Sequence, residues 1–273
     1  LLMKVSVLIF ATIIFSLACK QNTARKSLSK LSLQETLRRL NEGDHQFYYA
    51  NYTDSLGKDL TPELTQKLTS GKLKRDFYVS ENDSIKEIRV SVLQDDEDIL
   101  NEIQLRSAMT FPMKNFTFES VNCNEIRERI NTSINNDQQA RASEDGYKNI
   151  VDIGKVNKKL IISIIEKCGW SSIDSSQIND VFLLIQHMES EYMARYYPVF
   201  IEYHKKGTLS NLNYARMIDR LLMNNGFEQI YGTQVVDLSF YAIKDIDNVN
   251  VRRQKLGLDS IEDYAKRNGF SHK

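Results

Sequence analysis

The sequence predicts a mainly helical α+β fold, and two observations carry that prediction. Strand-like alternation is confined to the first half of the chain, where Ile88, Val90 and Val92 are separated by the polar residues Arg89 and Ser91. From Asn124 onward the apolar spacing is that of a helix, beginning with the stripe Ile126, Ile130 and Ile134. A small α+β section over 31–123 followed by a helical domain over 124–268 accounts for both. An apolar fraction of 41% and a charged fraction of 26% are those of an ordinary folded globule, so such a chain buries a sizeable core.

The first segment addresses the protein rather than building its fold. Lys4, fourteen mostly apolar residues from Val5 to Ala18, and a small residue before Cys19 have the order of a secretory signal. The run is shorter than the roughly 20 residues a helix needs to cross a bilayer. It ends in Leu17-Ala18-Cys19, which resembles a bacterial lipobox, although Ser16 stands where leucine is usual. The expectation is a signal peptide over 1–18, cleavage before Cys19, lipidation of its thiol, and anchorage to a membrane of the bacterial cell envelope on its periplasmic or surface side. The polar stretch 19–30 reads as the lipid-attached tether, holding the folded part a few nanometres at most from the bilayer.

Next, Leu33, Leu37 and Leu40 predict a short amphipathic helix from Leu31 to Leu40, with Gly43 just past its end. Thr61-Pro62-Glu63 reads as a second helix start, since proline is tolerated in the first turn. Residues 76–80 and 85–92 flank Glu81-Asn82-Asp83-Ser84 as a β-hairpin, and Phe116 to Val121 supplies a further candidate strand. The acidic run Asp95-Asp96-Glu97-Asp98 marks a helix N-terminus, where negative charge is favourable. Beyond Asn124, helices are expected from Ile126, over Val156–Ile165, Ile178–Met188, Tyr192–Tyr203 and Leu212–Met223, the last stopped by Asn225-Gly226. Val235 to Ile243 suggests a short extended pair. Val249 to Leu256 and Asp259 to Lys266 return to helix, with Asp259 and Glu262 at capping-box spacing.

Composition and motifs exclude several function classes. Without Lys4 the chain carries 35 basic against 36 acidic residues, and no long basic run offers a nucleic-acid surface. There is no Gly-rich phosphate loop, no Gly-x-Ser-x-Gly elbow and no His-Glu-x-x-His pair, so no cofactor is predicted. Four scattered histidines and the absence of Cys-x-x-Cys argue against a transition-metal site, and Asp245-x-Asp247-x-x-Asn250 lacks the Gly and Glu of a calcium loop. Cys123 and Cys168 are the thiols left after Cys19. They are able to pair in an oxidising envelope, but isolated cysteines are more often buried small hydrophobes.

Candidate functional residues lie where the helix period demands an apolar side chain and finds a polar one. The stripe from Ile126 continues onto Asp137, Gln138 and Arg141. The bland alternative makes Asp137 and Arg141 an exposed i,i+4 pair contributing about 0.5 kcal/mol or less. His187 follows the all-apolar run Val181–Ile185 and should be partly enclosed, with Glu191 one turn on as a possible acceptor; the alternative is a satisfied core histidine. Asp219 and Arg220 point about 100° apart on their helix and serve different neighbours. The run from Gly226 to Gln234, if extended, places Gln229, Tyr231 and Thr233 on one side, with Gly232 allowing close backbone approach. Arg252 and Arg253 lie within reach of the same apolar face as Val249.

Asp137-Gln138-x-x-Arg141, Gly169-Trp170, His187, Ala215-x-x-x-Asp219-Arg220, Gln229-x-Tyr231-Gly232-Thr233-Gln234 and Arg252-Arg253-x-x-x-Gly257-Leu258 resemble the motif series of an uncharacterised bacterial family, a domain of unknown function, over roughly residues 125–267. The resemblance implies a shared polar site and brings no reaction with it. Three readings follow. In the first, Asp137, Gln138, Arg141, His187, Asp219, Arg220, Gln229, Tyr231, Gln234 and Arg253 line one cleft for a small polar or anionic ligand. In the second, the same cleft is that of a hydrolase or transferase, with His187 as general acid or base and Asp219 or Glu191 orienting its ring. In the third, the polar residues are a buried network that fixes the fold of a non-catalytic interaction protein.

Overall fold

The computed structural model describes residues 28–143 and 146–269; the expected signal peptide over 1–18, Cys19 and most of the expected tether lie outside the described residues. The chain divides into two compact units, one ending at Glu102 and the other beginning at Ile103.

The first unit is built on a four-stranded sheet in the order β1-β3-β4-β2, formed by β1 (Ser29–Lys30), β2 (Asn51–Asp54), β3 (Leu73–Val79) and β4 (Ile85–Val92). β3 and β4 are the expected hairpin, antiparallel and closed by the turn in which Asp83 adopts φ 60°. Ser29 and Lys30, assigned to the tether in the sequence, instead pair antiparallel with Val79 and Tyr78, and Lys30 Nζ lies 2.8 Å from Asp76 Oδ2. β2 carries no apolar alternation and was not foreseen; it runs parallel to β4, with Tyr52 opposite Ile88. Leu73, Phe77 and Val79 of β3 and Ile85, Ile88 and Val90 of β4 are buried, while Val92, at the strand's end, is 56% exposed. Among the described residues two α-helices lie wholly within this unit: α1 (Leu33–Asn41), capped by the Ser32 hydroxyl, and α2 (Pro62–Thr69), capped by Thr61 with Pro62 in its first turn.

α3 (Asp96–Thr110) starts on the acidic run, with Asp95 accepting from the Asp98 N–H. The unit boundary inside this helix lies about twenty residues before the one placed at 123. The physical reason is where the following residues pack: the Ser107 hydroxyl donates to the Glu191 carbonyl, and the Phe111 ring stands edge-on to Tyr192 at 5.5 Å. Phe116–Val121 forms no strand. Its backbone is satisfied by side chains instead, the Glu119 N–H donating to Ser163 Oγ and the Glu119 carbonyl accepting from Lys167 Nζ.

The second unit is helical, comprising α4 (Ile126–Ala142), α5 (Gly146–Cys168), α6 (Ile178–Gln186), α7 (Ser190–Lys205), α8 (Asn211–Asn224), α9 (Val249–Lys255) and α10 (Ile261–Asn268), with a two-stranded ribbon of β5 (Val235–Val236) and β6 (Ser239–Phe240). α6 is the central element. Ile178, Val181, Phe182, Leu184 and Ile185 are all buried, and the helix packs against α4, α5, α7 and α8. Trp170 caps the far side of this core, its indole within 6 Å of Tyr196, Phe200 and Tyr203. α10 starts one residue later than the capping-box spacing suggested: the cap is Ser260, whose hydroxyl accepts from the Asp263 N–H. Cys123, which is exposed, and Cys168 form a disulfide across Cα atoms 5.8 Å apart, tying the entry of α4 to the end of α5.

Candidate functional site

α4 delivers the first part of the site. Ile126, Ile130, Ser133 and Asp137 are buried along one face, so the helix does not leave the core after Ile134. Asp137 is only 3% exposed yet carries a carboxylate, and three side chains compensate it. Arg141, one turn on, forks onto it with Nε at 3.0 Å from Oδ2 and Nη2 at 3.2 Å from Oδ1; the Gln138 amide donates to Oδ2 at 2.9 Å. The third is His187, the residue that ends α6. Its Nδ1 lies 3.0 Å from Asp137 Oδ2, in electrostatic contact but out of line for a directed hydrogen bond. Burial pushes the imidazole pKa below its usual 6.5, with Arg141 and Arg220 acting in the same direction and Asp137 opposing them.

Arg141 and His187 open onto a hollow of about 480 Å³ that is also lined by Ile150, Val151, Gly154, Lys155 and Lys158 of α5 and by Met188 and Glu189 of the turn into α7. That volume lies within the roughly 300–1,000 Å³ of small-molecule sites. None of the α5 residues was singled out in the sequence. The available signal was Gly154, a glycine in the interior of a helical run.

A second group of the expected residues clamps the segment Gln229–Gln234. Asp219 is fully buried, and its two oxygens accept four hydrogen bonds: from the Ile230 and Tyr231 N–H groups at 2.8 and 2.9 Å, and from the Thr233 N–H and hydroxyl, both at 2.9 Å. Burial pushes its pKa up while these donors pull it down. The carbonyls of the segment are taken by other side chains. Arg252 Nε donates to Ile230 O, Arg253 Nη1 to Tyr231 O and the Tyr264 hydroxyl to Thr233 O. Gln229, also fully buried, accepts from the Gln234 N–H and donates to the carbonyls of Gln234 and Tyr241. Arg253 is buried completely, held by Asp259 through Nε and Nη2 and lying 4.9 Å over the Tyr264 ring. Gly232 is required here: at φ 69°, a Cβ would come within 2.5 Å of Ile261 Cδ1. A segment without helix or ladder thereby has its polar groups paired through side chains.

A family comparison bears on this unit directly. The sequence profile of a family of unknown function, DUF6624, matches residues 121–269, more than half of the chain. The chain belongs to DUF6624. No curated protein and no solved structure matches it. The DUF6624 region contains both groups of polar residues and begins two residues before Cys123, so it coincides with the helical unit from α4 onward.

Within the DUF6624 region the two groups join through Arg220 and Gln234. Gln234 Nε2 donates to the Thr233 hydroxyl, its Oε1 accepts from Arg220 Nε at 3.1 Å, and Arg220 Nη1 donates to the carbonyl of Gln186, the neighbour of His187. The structure therefore places Arg141 and His187 on the hollow, with Asp137 bonded to Arg141 and Gln138 and lying beside His187, and with Arg220 and Gln234 joined to them through Gln186. Asp219, Gln229 and Arg253 are committed to the loop, and Tyr231 contributes its backbone to the clamp while its ring meets Tyr214 edge-on at 6.2 Å. The carboxylate beside His187 is Asp137, where Asp219 or Glu191 was expected. Arg216 was not foreseen; it and Arg141 depress the Arg220 pKa after burial, the largest cause.

Proposed function

We propose that the helical unit binds a small anionic ligand in the hollow between α4, α5 and the α6–α7 turn, and that lipid on Cys19 holds the protein at the bacterial envelope. One observation carries the binding reading: at the hollow's inner wall cations outnumber carboxylates. Among the described residues here, Asp137 is the carboxylate that faces two guanidinium groups, Arg141 and, behind it, Arg220, whose hydrogen bonds go to the neutral acceptors Gln234 and Gln186. Arg141 uses two of its five N–H donors on Asp137, which leaves three for an incoming anion. The Cys123–Cys168 disulfide supports an extracytoplasmic setting, since such bonds persist in oxidising compartments.

A thermal-shift screen of small anions on the purified chain tests this reading. Stabilisation by a hit that Arg141→Ala removes, without a change in the melting point of the free protein beyond about 2 °C, supports it. If no anion shifts the midpoint, and Arg141→Ala and His187→Ala both lower it sharply, the residues are structural. Mass measurement of the processed N-terminus tests the anchor.

A hydrolase or transferase remains the second reading, favoured by the placement of a buried carboxylate at His187 Nδ1. Asp137 there sits beside the ring, the depressed pKa favours the neutral form that accepts a proton, and the arginines stabilise developing negative charge. Turnover of a bound hit that is lost in His187→Ala while binding persists would establish it.

A further inference from the structure

The hollow has a lining of two kinds. Its polar side is the Arg141 guanidinium and, beside it, the His187 imidazole. The lysines of the rim are already countered, Lys155 by Asp152 at 3.1 Å and Lys158 by Glu189 at 2.6 Å. Its lining also holds the apolar side chains of Ile150 and Val151 on α5 and of Met188 next to His187, and Val151 is 52% exposed. Gly154 belongs to the same lining, in the interior of a 23-residue helix. Its φ is not positive, and among the described residues nothing lies within 4 Å of the place a Cβ would take. Neither backbone conformation nor close packing therefore calls for glycine, although glycine disfavours a helix interior relative to alanine. A missing side chain facing open, partly apolar space leaves room for something that is not part of this chain.

We infer that the ligand is an amphiphilic anion, a carboxylate head held by Arg141 beside His187 with a short alkyl body lying over Gly154 between Ile150, Val151 and Met188. The head explains the surplus of cationic donors, and the body explains why an exposed valine and an unrequired glycine share the wall beside them. This inference rests on the binding reading of the same hollow, and the two fail in different ways.

The test is calorimetric titration of the purified full chain with acetate, butanoate, hexanoate and octanoate, with inorganic phosphate as a head-only anion. Affinity should rise about two- to fourfold per added methylene, the upper figure being full burial of each. Gly154→Leu, which places an isobutyl group in the open space, should weaken hexanoate at least tenfold while leaving phosphate unchanged. Gly154→Leu should keep or raise the melting midpoint, and Gly154→Ala, a smaller intrusion, should give an intermediate loss. Arg141→Ala should weaken every member alike. If phosphate binds but the carboxylate series is flat, or if Gly154→Leu leaves the chain-length dependence intact, the amphiphile is wrong and the anion site stands. If no anion in the set binds, both fall.

Discussion

Replacing Asp219 by alanine discriminates most sharply between a residue that works on a ligand and one that builds the fold. The side chain is fully buried and accepts four hydrogen bonds from a segment with no regular secondary structure. Truncation leaves three backbone N–H groups and the Thr233 hydroxyl without acceptors, each costing about 1–3 kcal/mol while it stays dry. Gln229, Arg252 and Arg253 still hold the segment from its other side, so part of the loss is recovered by local relaxation and entering water. A net destabilisation of about 4 kcal/mol is expected, equivalent to roughly 8–16 °C in the melting midpoint of a domain of this size. Asp219→Asn keeps one acceptor but turns an NH2 group toward the Thr233 donors, and should cost about half as much. Thermal melts followed by far-UV circular dichroism measure both. Functional groups are seldom optimised for stability, so a catalytic Asp219 would give variants that melt with or above the wild type. A midpoint within about 2 °C of wild type for Asp219→Ala would refute the clamp.

Four further outcomes follow from the same structure. His187 has its folded-state pKa depressed below 6.5, so its neutral form stabilises the protein above that pH and the contribution is lost as pH falls through the folded value; in denaturant titrations the wild type should weaken more steeply than His187→Gln below pH 6.5, and parallel curves would count against a buried neutral imidazole. Gly154→Ala should raise stability by about 0.5–1 kcal/mol, because nothing obstructs the added methyl and the helix gains propensity. Gly232→Ala should instead lose about 2–4 kcal/mol, combining a left-handed backbone with a clash against Ile261 and Ile243, whereas Gly226→Ala, left-handed but open, should lose only about 1 kcal/mol. Reducing Cys123–Cys168, which closes a 45-residue separation, should lower stability by up to about 4 kcal/mol, visible as an earlier melt in reductant and absent in Cys123→Ser.

Much of this architecture was legible in the amino-acid order because it depends on local periodicity. The helices from Ile126, Ile178, Tyr192 and Leu212, the β3–β4 hairpin, and the stops at Gly43 and Asn225-Gly226 follow from side-chain spacing and from backbone conformations that few residues tolerate. Burial of Asp137 and partial enclosure of His187 were also readable, because a helix must turn the same face inward wherever its stripe runs. Chemistry was harder to read than burial. Asp219 and His187 looked equally polar and equally misplaced, and only the coordinates separate a carboxylate spent on four loop donors from an imidazole at the edge of a hollow. β2, the edge strand at Ser29 and the irregular path of Phe116–Val121 were missed for a related reason, since each is decided by what lies beside it and not by its own pattern.

Sequence alone thus determined the succession of elements and which of their faces are turned inward, because both are set within a few residues by chain stereochemistry and hydrophobicity. Tertiary structure decided which residues meet: Asp137 with His187 across 50 positions, Asp219 with Thr233, Arg253 with Tyr231, and Gly154 with Met188. Such partnerships depend on how helices pack, and side chains distant along the chain carry no local mark of whom they will meet.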